Sequence, residues 1–77
     1  MMFEELEVVV LTRDVPEHGL KAGDLGTIVE VYPPDGIEVE FVTAGGETQA
    51  ILTLRTADVR KVDSRDMVAV RPVQPAA

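Results

Sequence analysis

The most informative stretch of the chain, residues 21–31, reads Lys21-Ala22-Gly23-Asp24-Leu25-Gly26-Thr27-Ile28-Val29-Glu30-Val31. Two glycines lie three residues apart, and a run rich in β-branched residues follows them. Glycine permits the positive φ angles of tight turns, and β-branched side chains favour strands. The stretch therefore predicts a loop, a tight turn that depends on Gly23 and Gly26, and then a strand packed on a core.

The rest of the chain contains four more segments with the composition of strands. The five predicted strands are Leu6–Thr12, Leu25–Tyr32, Ile37–Phe41, Thr48–Leu54 and Val59–Val62. In the third, the apolar residues are expected to face the core, whereas Glu38 and Glu40, which alternate with them, face solvent. The apolar residues of the fourth strand that we expect to point inward are Ala50, Leu52 and Leu54. The unbroken apolar run Val8–Leu11 predicts that both faces of the first strand are covered.

Glycine, proline and aspartate mark the connections between these strands. The glycines expected to serve in turns are Gly19, Gly23, Gly26, Gly36, Gly45 and Gly46. The segment 56–58 predicts a single 3-10 turn, capped by Thr56, before the last strand. No segment has the period of an amphipathic helix, so residues 1–62 are expected to form one small all-β barrel.

Residues 63–77 form a C-terminal tail of different character. Pro72 and Pro75 prevent a hydrogen-bonded ladder near its end. The run Met67-Val68-Ala69-Val70 is apolar enough to form a sixth strand over residues 67–71. Two arrangements stay open for this strand: it adds to its own sheet, or it is exchanged with the open sheet edge of a second copy.

The composition limits both the location and the partners. The 77 residues carry 14 acids and 7 bases, a formal charge of −7, and no cysteine. Lysine and arginine supply most of the non-specific attraction to phosphate backbones, so nucleic acid is not expected as a general partner. The acidic first residues do not resemble a signal peptide, and we expect a cytoplasmic protein with no membrane partner. The excess acid suits a basic partner protein, or it simply keeps a small protein soluble.

Several of these segments together resemble a known family. The segments are Val9 to Leu20, Gly23 to Tyr32, Glu38 to Phe41 and Ala50 to Leu54. In order and spacing they are similar to the bacterial domain-of-unknown-function family 4926, over about residues 6 to 62. The resemblance implies a compact SH3-like barrel, and it supplies no activity and no catalytic residue. The portion 23–31 also resembles the KOW element of ribosomal and transcription-factor barrels, and the barrel subunits that attach to redox and photosynthetic complexes. Shared fold alone does not choose between RNA binding and protein docking.

The inventory of reactive side chains argues against catalysis. The chain has one histidine, His18, and one serine, Ser64, and nothing in the sequence brings them together as a Ser-His-Asp arrangement requires. Asp14, Glu17 and Asp24 share the first loop with His18, but zinc prefers several His or Cys ligands, and a calcium-loop pattern is absent. We therefore expect no enzyme activity, no metal and no cofactor. Instead, Asp14 and Asp24 are expected to accept hydrogen bonds from backbone N–H groups in turns.

The function predicted on these grounds is a non-enzymatic protein-interaction module that docks on a basic partner or on itself. Its candidate partner-binding residues are Pro16, His18, Leu20, Tyr32, Glu38, Glu40 and Glu47. The first three give the loop at residues 13–24 a stiff, partly apolar tip, although this loop equally suits a purely structural role in closing the barrel. A groove for proline-rich peptides is not expected, because such grooves are lined with aromatic residues and only Tyr32 is available.

More specific forms of this hypothesis are an antitoxin-like or immunity-like partner that masks a basic groove, and a subunit of a larger complex. Two alternatives stay open. One is a homo-oligomeric structural protein joined through residues 67–71. The other is a KOW-like RNA- or ribosome-binding domain that uses Arg55, Arg60, Lys61 and Tyr32.

Overall fold

Five antiparallel strands form the framework of the protein. The computed structural model describes residues 2–75. The strands are β1 (Val8–Leu11), β2 (Leu25–Tyr32), β3 (Gly36–Val42), β4 (Thr48–Arg55) and β5 (Val59–Lys61), with single 3-10 turns at Pro16–His18 and Thr56–Asp58. They pair in one sheet in the order β4-β3-β2-β1-β5. This is the predicted all-β, SH3-like five-stranded barrel with a 3-10 turn before its last strand. Within the described residues, no helix has the length and apolar character needed to cross a membrane.

Strand boundaries follow the sequence closely except at the first strand. Strand β2 has the predicted bounds, and β3 and β4 each run a residue or two further than predicted. Strand β1 is shorter than the predicted segment Leu6–Thr12. Leu6 has a φ of 71°, in the left-handed region, and its N–H donates to the Ile28 carbonyl at 2.7 Å. The extended conformation therefore begins only after this residue.

The core lies on the inner face of the sheet and is closed by the first loop. Its buried members are Val9, Leu11, Val15, Leu20, Ile28, Ile37, Val39, Phe41, Ala50, Leu54 and Val59, with Phe3, Val31 and Leu52 packed against them. The predicted inner residues of β3 and β4 are confirmed, although Leu52 is only partly buried. Burial of each large apolar side chain contributes about 1.5–3 kcal/mol, so this cluster carries the stability of a chain without disulfides. In β1, Val9 and Leu11 belong to the cluster while Val10 is buried outside it, which confirms that both faces of this strand are covered.

Gly26 has a different role from the one that the sequence predicted. It lies within β2, is buried, and does not have a positive φ. A Cβ atom at this position would lie 2.5 Å from Val39 Cγ1 and 2.9 Å from Phe41 Cε1. The prediction of a turn at Gly26 is therefore wrong: the residue must be glycine because two core side chains of β3 occupy the space that a side chain would need.

The remaining glycines mostly serve the turns, as predicted. Those with positive φ are Gly19, Gly23 and Gly46, whereas Gly45 lies in the hairpin between β3 and β4 and Gly36 is the first residue of β3. Gly19 ends the first 3-10 turn with φ 71°, and its N–H donates to the Pro16 carbonyl at 3.0 Å. Glycine suits this position because the left-handed conformation is costly for other residues.

The second 3-10 turn begins differently from the prediction. Arg55 rather than Thr56 occupies the capping position, and the Asp58 carboxylate accepts the Arg55 N–H at 3.0 Å. Asp58 also accepts a hydrogen bond from Arg13 Nε at 3.0 Å. Burial raises the pKa of Asp58, but the bonds from Arg13 and from the Arg55 N–H outweigh it and lower the pKa. The predicted cap at Thr56 is wrong: the turn is capped at Arg55, whose N–H donates to the carboxylate of Asp58, three residues after Arg55.

The C-terminal tail turns back over the barrel. Within the described residues, the segment 67–71 forms no strand with the sheet of its own chain. Met67 is 92 % exposed and Val70 is 97 % exposed. Of the two arrangements considered for this segment, addition to its own sheet is therefore not adopted. Exchange with a second copy stays a prediction.

Candidate functional site

The central strand β3 presents two carboxylates to the outside of the barrel. Glu38 and Glu40 alternate with buried residues, so the pleat of the strand directs them away from the core. In the register of the sheet, Glu38 lies opposite Glu30 of β2, and Glu40 lies opposite Ile51 of β4. We call this surface the outer face and define it by Glu30, Tyr32, Glu38, Glu40, Thr48 and Ile51.

Two hydrogen bonds fix the carboxylates of the outer face. The Tyr32 hydroxyl donates to Glu38 Oε1 at 2.5 Å, and the Thr48 hydroxyl donates to Glu40 Oε2 at 2.6 Å. The hydrogen bond to Glu38 raises the pKa of Tyr32, with further contributions from desolvation and from the negative charges of Glu38 and Glu30. Predicted partner-binding residues Tyr32, Glu38 and Glu40 are thus brought together on one surface, with their side chains held in place.

The negative charge of the outer face is not neutralised by the described part of the chain. Glu30 and Glu38 form a cross-strand pair of like charge, an arrangement that destabilises a sheet. Neither takes part in any of the ion pairs among residues 2–75. The outer face therefore carries a local field that can attract a positive group.

Apolar residues lie beside these acids. The register places Val8, Thr27, Glu40 and Ile51 in one row across four strands, on the same side of the sheet. Ile51 is 52 % exposed, and Val8 and Val42 are also exposed. Exposed apolar area therefore lies beside the fixed polar groups of the outer face.

Glu47 lies at one end of this surface rather than within it. It belongs to the hairpin between β3 and β4, where its N–H donates to Thr43 Oγ1 at 3.2 Å. Its side chain is exposed. Val42 and Thr48, the last paired residues of β3 and β4 before the hairpin, lie between Glu47 and Glu40. Glu47 therefore extends the negative charge beyond the end of the outer face.

The first loop, residues 13–24, does not present the apolar tip that the sequence predicted. Leu20 is only 3 % exposed and belongs to the core cluster. It forms an isolated bridge with Val15, which folds the loop back onto the barrel. Pro16 and His18 are exposed, as predicted. The expectation that Leu20 contributes to an exposed apolar tip is therefore wrong, because its side chain packs in the core.

Two aspartates shape the first loop. Asp14 Oδ1 accepts the Ala22 N–H at 2.9 Å, and Asp24 Oδ2 accepts the Lys21 N–H at 2.8 Å. The prediction that Asp14 and Asp24 bond to backbone N–H groups is confirmed.

The tail covers one side of the first loop. Arg71 Nε donates to Asp24 Oδ1 at 3.0 Å, and Arg71 Nη2 donates both to Asp24 Oδ2 and to the Gly19 carbonyl, the latter at 3.1 Å. The hydrogen bonds that Arg71 donates to Asp24 raise the pKa of Arg71. Gln49 of β4 completes the contact, because its Nε2 donates to the Gln74 carbonyl at 2.9 Å and to the His18 carbonyl at 3.1 Å.

Sequence reasoning missed the contact of Arg71 with Asp24 and that of Gln49 with the Gln74 carbonyl. Arg71 and Asp24 are 47 residues apart in the sequence, and no local sequence pattern predicts a contact between residues so far apart. The one available signal was that Arg71 precedes a proline, which favours an extended backbone suited to lying across a surface.

Most basic side chains lie in ion pairs outside the outer face. Arg60 binds Asp66 through two hydrogen bonds of 2.8 and 2.9 Å, and this pairing lowers the pKa of Asp66 to about 2. Lys61 Nζ donates to Glu7 Oε2 at 2.7 Å, lowers the pKa of Glu7, and lies 5.0 Å from the centre of the Phe3 ring. Two of the basic residues that the RNA-binding alternative uses, Arg60 and Lys61, are thus paired with acids of the same chain.

Together these features define a small SH3-like barrel with an acidic outer face and a first loop covered by a tail. A family model described as "Domain of unknown function (DUF4926)" matches residues 5–61. The chain belongs to this family. Comparisons with curated proteins and with solved structures gave no match. The tail that covers the first loop lies outside the matched residues.

Proposed function

We propose that the protein is a non-enzymatic interaction module whose outer face binds a positively charged surface of another protein. One observation supports the proposal above the others. Glu30 and Glu38 face each other across β2 and β3, and no basic side chain of the described residues forms an ion pair with either. A partner that supplies lysine or arginine at this point relieves the repulsion between them.

The rigidity of the outer face favours binding. Glu38 and Glu40 lie on the central strand of a three-strand meander, and the hydroxyls of Tyr32 and Thr48 fix their carboxylates. Side chains that are already ordered lose less conformational entropy when a partner binds. The exposed side chain of Ile51 adds apolar area beside them.

The proposal differs from the sequence-based hypothesis in one respect. That hypothesis included the tip of the first loop, but Leu20 is buried, and the tail covers part of the loop beside Gly19. We therefore assign partner binding to the outer face, with Glu47 at its end. The antitoxin-like or immunity-like role, the role of complex subunit, the bacterial source and the cytoplasmic location remain parts of this proposal, and they rest on charge, the absence of cysteine and the family resemblance.

A capture experiment with charge-matched variants tests the proposal. The double variant Glu30→Gln/Glu38→Gln removes two charges from the outer face, and Glu4→Gln/Glu5→Gln removes two exposed charges elsewhere. We expect a basic protein of the native host to be captured by the wild-type chain and by the Glu4/Glu5 variant, and to be lost with the outer-face variant. Recovery of the protein alone, or of a partner that all three chains hold equally, would contradict the proposal.

The RNA-binding alternative is tested on the same chains. Arg60 and Lys61 are held by Asp66 and Glu7, which leaves less positive charge for phosphate. We expect no retention of the wild-type chain on immobilised RNA at low salt. Retention that falls as salt rises would favour the RNA-binding alternative instead.

A further inference from the structure

The tail segment 71–74 lies against the first loop, where two sets of hydrogen bonds hold it beside a groove. The Arg71 guanidinium reaches both carboxylate oxygens of Asp24 and the carbonyl oxygen of Gly19. Three acceptors arranged around one guanidinium recognise arginine specifically, because lysine cannot donate in that fork geometry.

The second contact recognises a main chain rather than a side chain. Gln49 Nε2 donates to the carbonyl of Gln74 at 2.9 Å and to the carbonyl of His18 at 3.1 Å. The amide therefore bridges the segment to the first loop. A contact of this kind holds any extended peptide that presents a carbonyl at the same place.

Beside these two contacts lies a groove of about 410 Å³. Its lining includes Pro16 and Leu20 of the loop and Pro72 and Val73 of the segment. Space of this size beside a seated peptide can accept side chains larger than those of the tail.

The shape of the segment suits such a site. Arg71 precedes Pro72, and the residue before a proline is restricted to extended conformations. Gln74 precedes Pro75 in the same way. A peptide whose backbone is already extended loses little entropy when it is bound, which raises its affinity.

The site and its occupant belong to different parts of the chain. Asp24, Gly19 and Gln49 lie within the residues that match the family, 5–61, whereas the segment 71–74 lies outside them. The preceding residues, Met67 and Val70 among them, are almost fully exposed and tie the segment down only weakly. The barrel thus provides the site, and the tail is an added segment that fills it.

We propose that the first loop and Gln49 form a binding site for an extended arginine-proline peptide of another protein, which the chain's own residues 71–74 occupy in its absence. The tail competes with the external peptide at an effective concentration on the order of millimolar. Release of the tail then opens the site. This site is separate from the outer face, and neither proposal depends on the other.

The test uses the full chain and a synthetic peptide, AVRPVQP, that copies residues 69–75. The protein variant Arg71→Ala removes the anchor of the tail and leaves the site intact. We expect this variant to bind the peptide about tenfold more tightly than the wild-type chain does, because the competing tail is weakened. Chemical shifts of the Gly19 amide and of the Gln49 side-chain amide report where the peptide binds.

Two changes test the recognition of arginine. Replacing the arginine of the peptide by alanine is expected to weaken binding about tenfold or more, and Asp24→Asn in the Arg71→Ala chain is expected to do the same. Glu17→Gln, which removes a charge from the same loop, is the matched control and is expected to leave the affinity within about twofold. If Arg71→Ala lowers the dispersion of the amide spectrum, Arg71→Lys serves as the second tail variant.

Three results would overturn the proposal. The first is no shift at Gly19 or Gln49 when the Arg71→Ala chain meets millimolar peptide. The second is equal binding of the peptide without arginine. The third is a wild-type dimer in sedimentation that Arg71→Ala converts to a monomer, because the occupant is then the tail of a second copy. The variant Glu30→Gln/Glu38→Gln is expected to leave peptide binding unchanged, so failure at this site is distinguishable from failure at the outer face.

Discussion

The outer face and the first loop are both rich in acid, and they differ in what the acids do. In the first loop, Asp14 and Asp24 bind backbone N–H groups, and Asp24 also binds Arg71. On the outer face, Glu30 and Glu38 have no basic partner among the described residues. Residues 25–55, which build that face, contain five acids and a single base.

The difference follows from how each region is held together. Strands β2, β3 and β4 are joined by a backbone ladder and a buried core, so their outward side chains are not needed for folding. The first loop has only the isolated bridge between Val15 and Leu20, and side-chain hydrogen bonds of Asp14 and Asp24 add to it. The aspartates of the first loop therefore help to hold the chain where regular structure ends, whereas Glu30 and Glu38 on the strands form no ion pair within residues 2–75.

The largest expected effect on the free energy of unfolding comes from a substitution in β2, the strand that joins the two regions. Gly26→Ala places a Cβ atom 2.5 Å from Val39 Cγ1, so the core must shift. Overpacking of this kind costs about 1–3 kcal/mol in the free energy of unfolding, as urea denaturation would measure. Because β2 joins the two regions, we expect them to unfold together.

The control for this substitution is Gly45→Ala. Gly45 lies in the hairpin without a positive φ, and the nearest atom to an added Cβ is Thr43 Oγ1 at 3.8 Å. Alanine is expected to be neutral or to stabilise by up to about 1 kcal/mol there, since it restricts the unfolded chain. Equal stability of the Gly26→Ala and Gly45→Ala chains would show that Gly26 is not required by packing.

The next largest effect on stability is expected from the ion pair of Asp24 and Arg71, which holds the tail against the first loop. A double-mutant cycle of Asp24→Asn and Arg71→Gln is expected to give a favourable coupling in the free energy of unfolding, because the two side chains form a bidentate pair. The coupling should fall as salt is raised. Arg65→Gln, which removes an exposed charge from the same tail, is expected to show no coupling with Asp24→Asn. A coupling of zero for Arg71 would mean that the tail is not held there in solution.

The alternation of the β3 sequence explains why the outer face was predictable and the tail contact was not. A period of two is local, so Glu38 and Glu40 could be assigned to the outside from their neighbours alone. Position 26 could not be assigned correctly, because glycine in a turn and glycine under a crowded core have the same local signature. Leu20 is similar: its burial depends on the bridge to Val15, which bends the loop in a way that composition does not encode.

A substitution on the outer face is expected to have a smaller effect of opposite sign, namely a gain in the free energy of unfolding. Glu30→Lys converts the like-charge pair with Glu38 into a pair of opposite charge, so the protein should gain about 0.5 kcal/mol in the free energy of unfolding. High salt should reduce the gain. Glu4→Lys changes the net charge equally at an exposed position outside the strands, and we expect no comparable gain. If Glu30→Lys destabilises the chain, the acids of the outer face have a structural role and the contrast with the first loop fails.

The smallest expected effect is a change in the pKa of Tyr32 on the outer face. Tyr32 is the only tyrosine, and the chain has no tryptophan, so the near-ultraviolet absorbance of tyrosinate reports this residue alone. The hydrogen bond to Glu38 and the nearby charges raise the pKa of Tyr32 above its usual value of about 10. Glu38→Gln should return the pKa of Tyr32 toward that value. Glu40 accepts a hydrogen bond from Thr48 rather than from Tyr32, so Glu40→Gln should leave the pKa of Tyr32 nearly unchanged.

The sign of the linked stability follows from the same contact. A raised pKa means that the folded state holds the Tyr32 proton more tightly than the unfolded state does. The stabilisation is therefore complete below the unfolded pKa of about 10, and it is lost as the pH rises through the higher folded value. An alkaline titration of the wild type and Glu38→Gln chains should show this loss only in the wild type. A normal Tyr32 pKa in the wild type would mean that Glu38 is not fixed, and the pre-ordered carboxylate on which the outer-face proposal depends would be absent in solution.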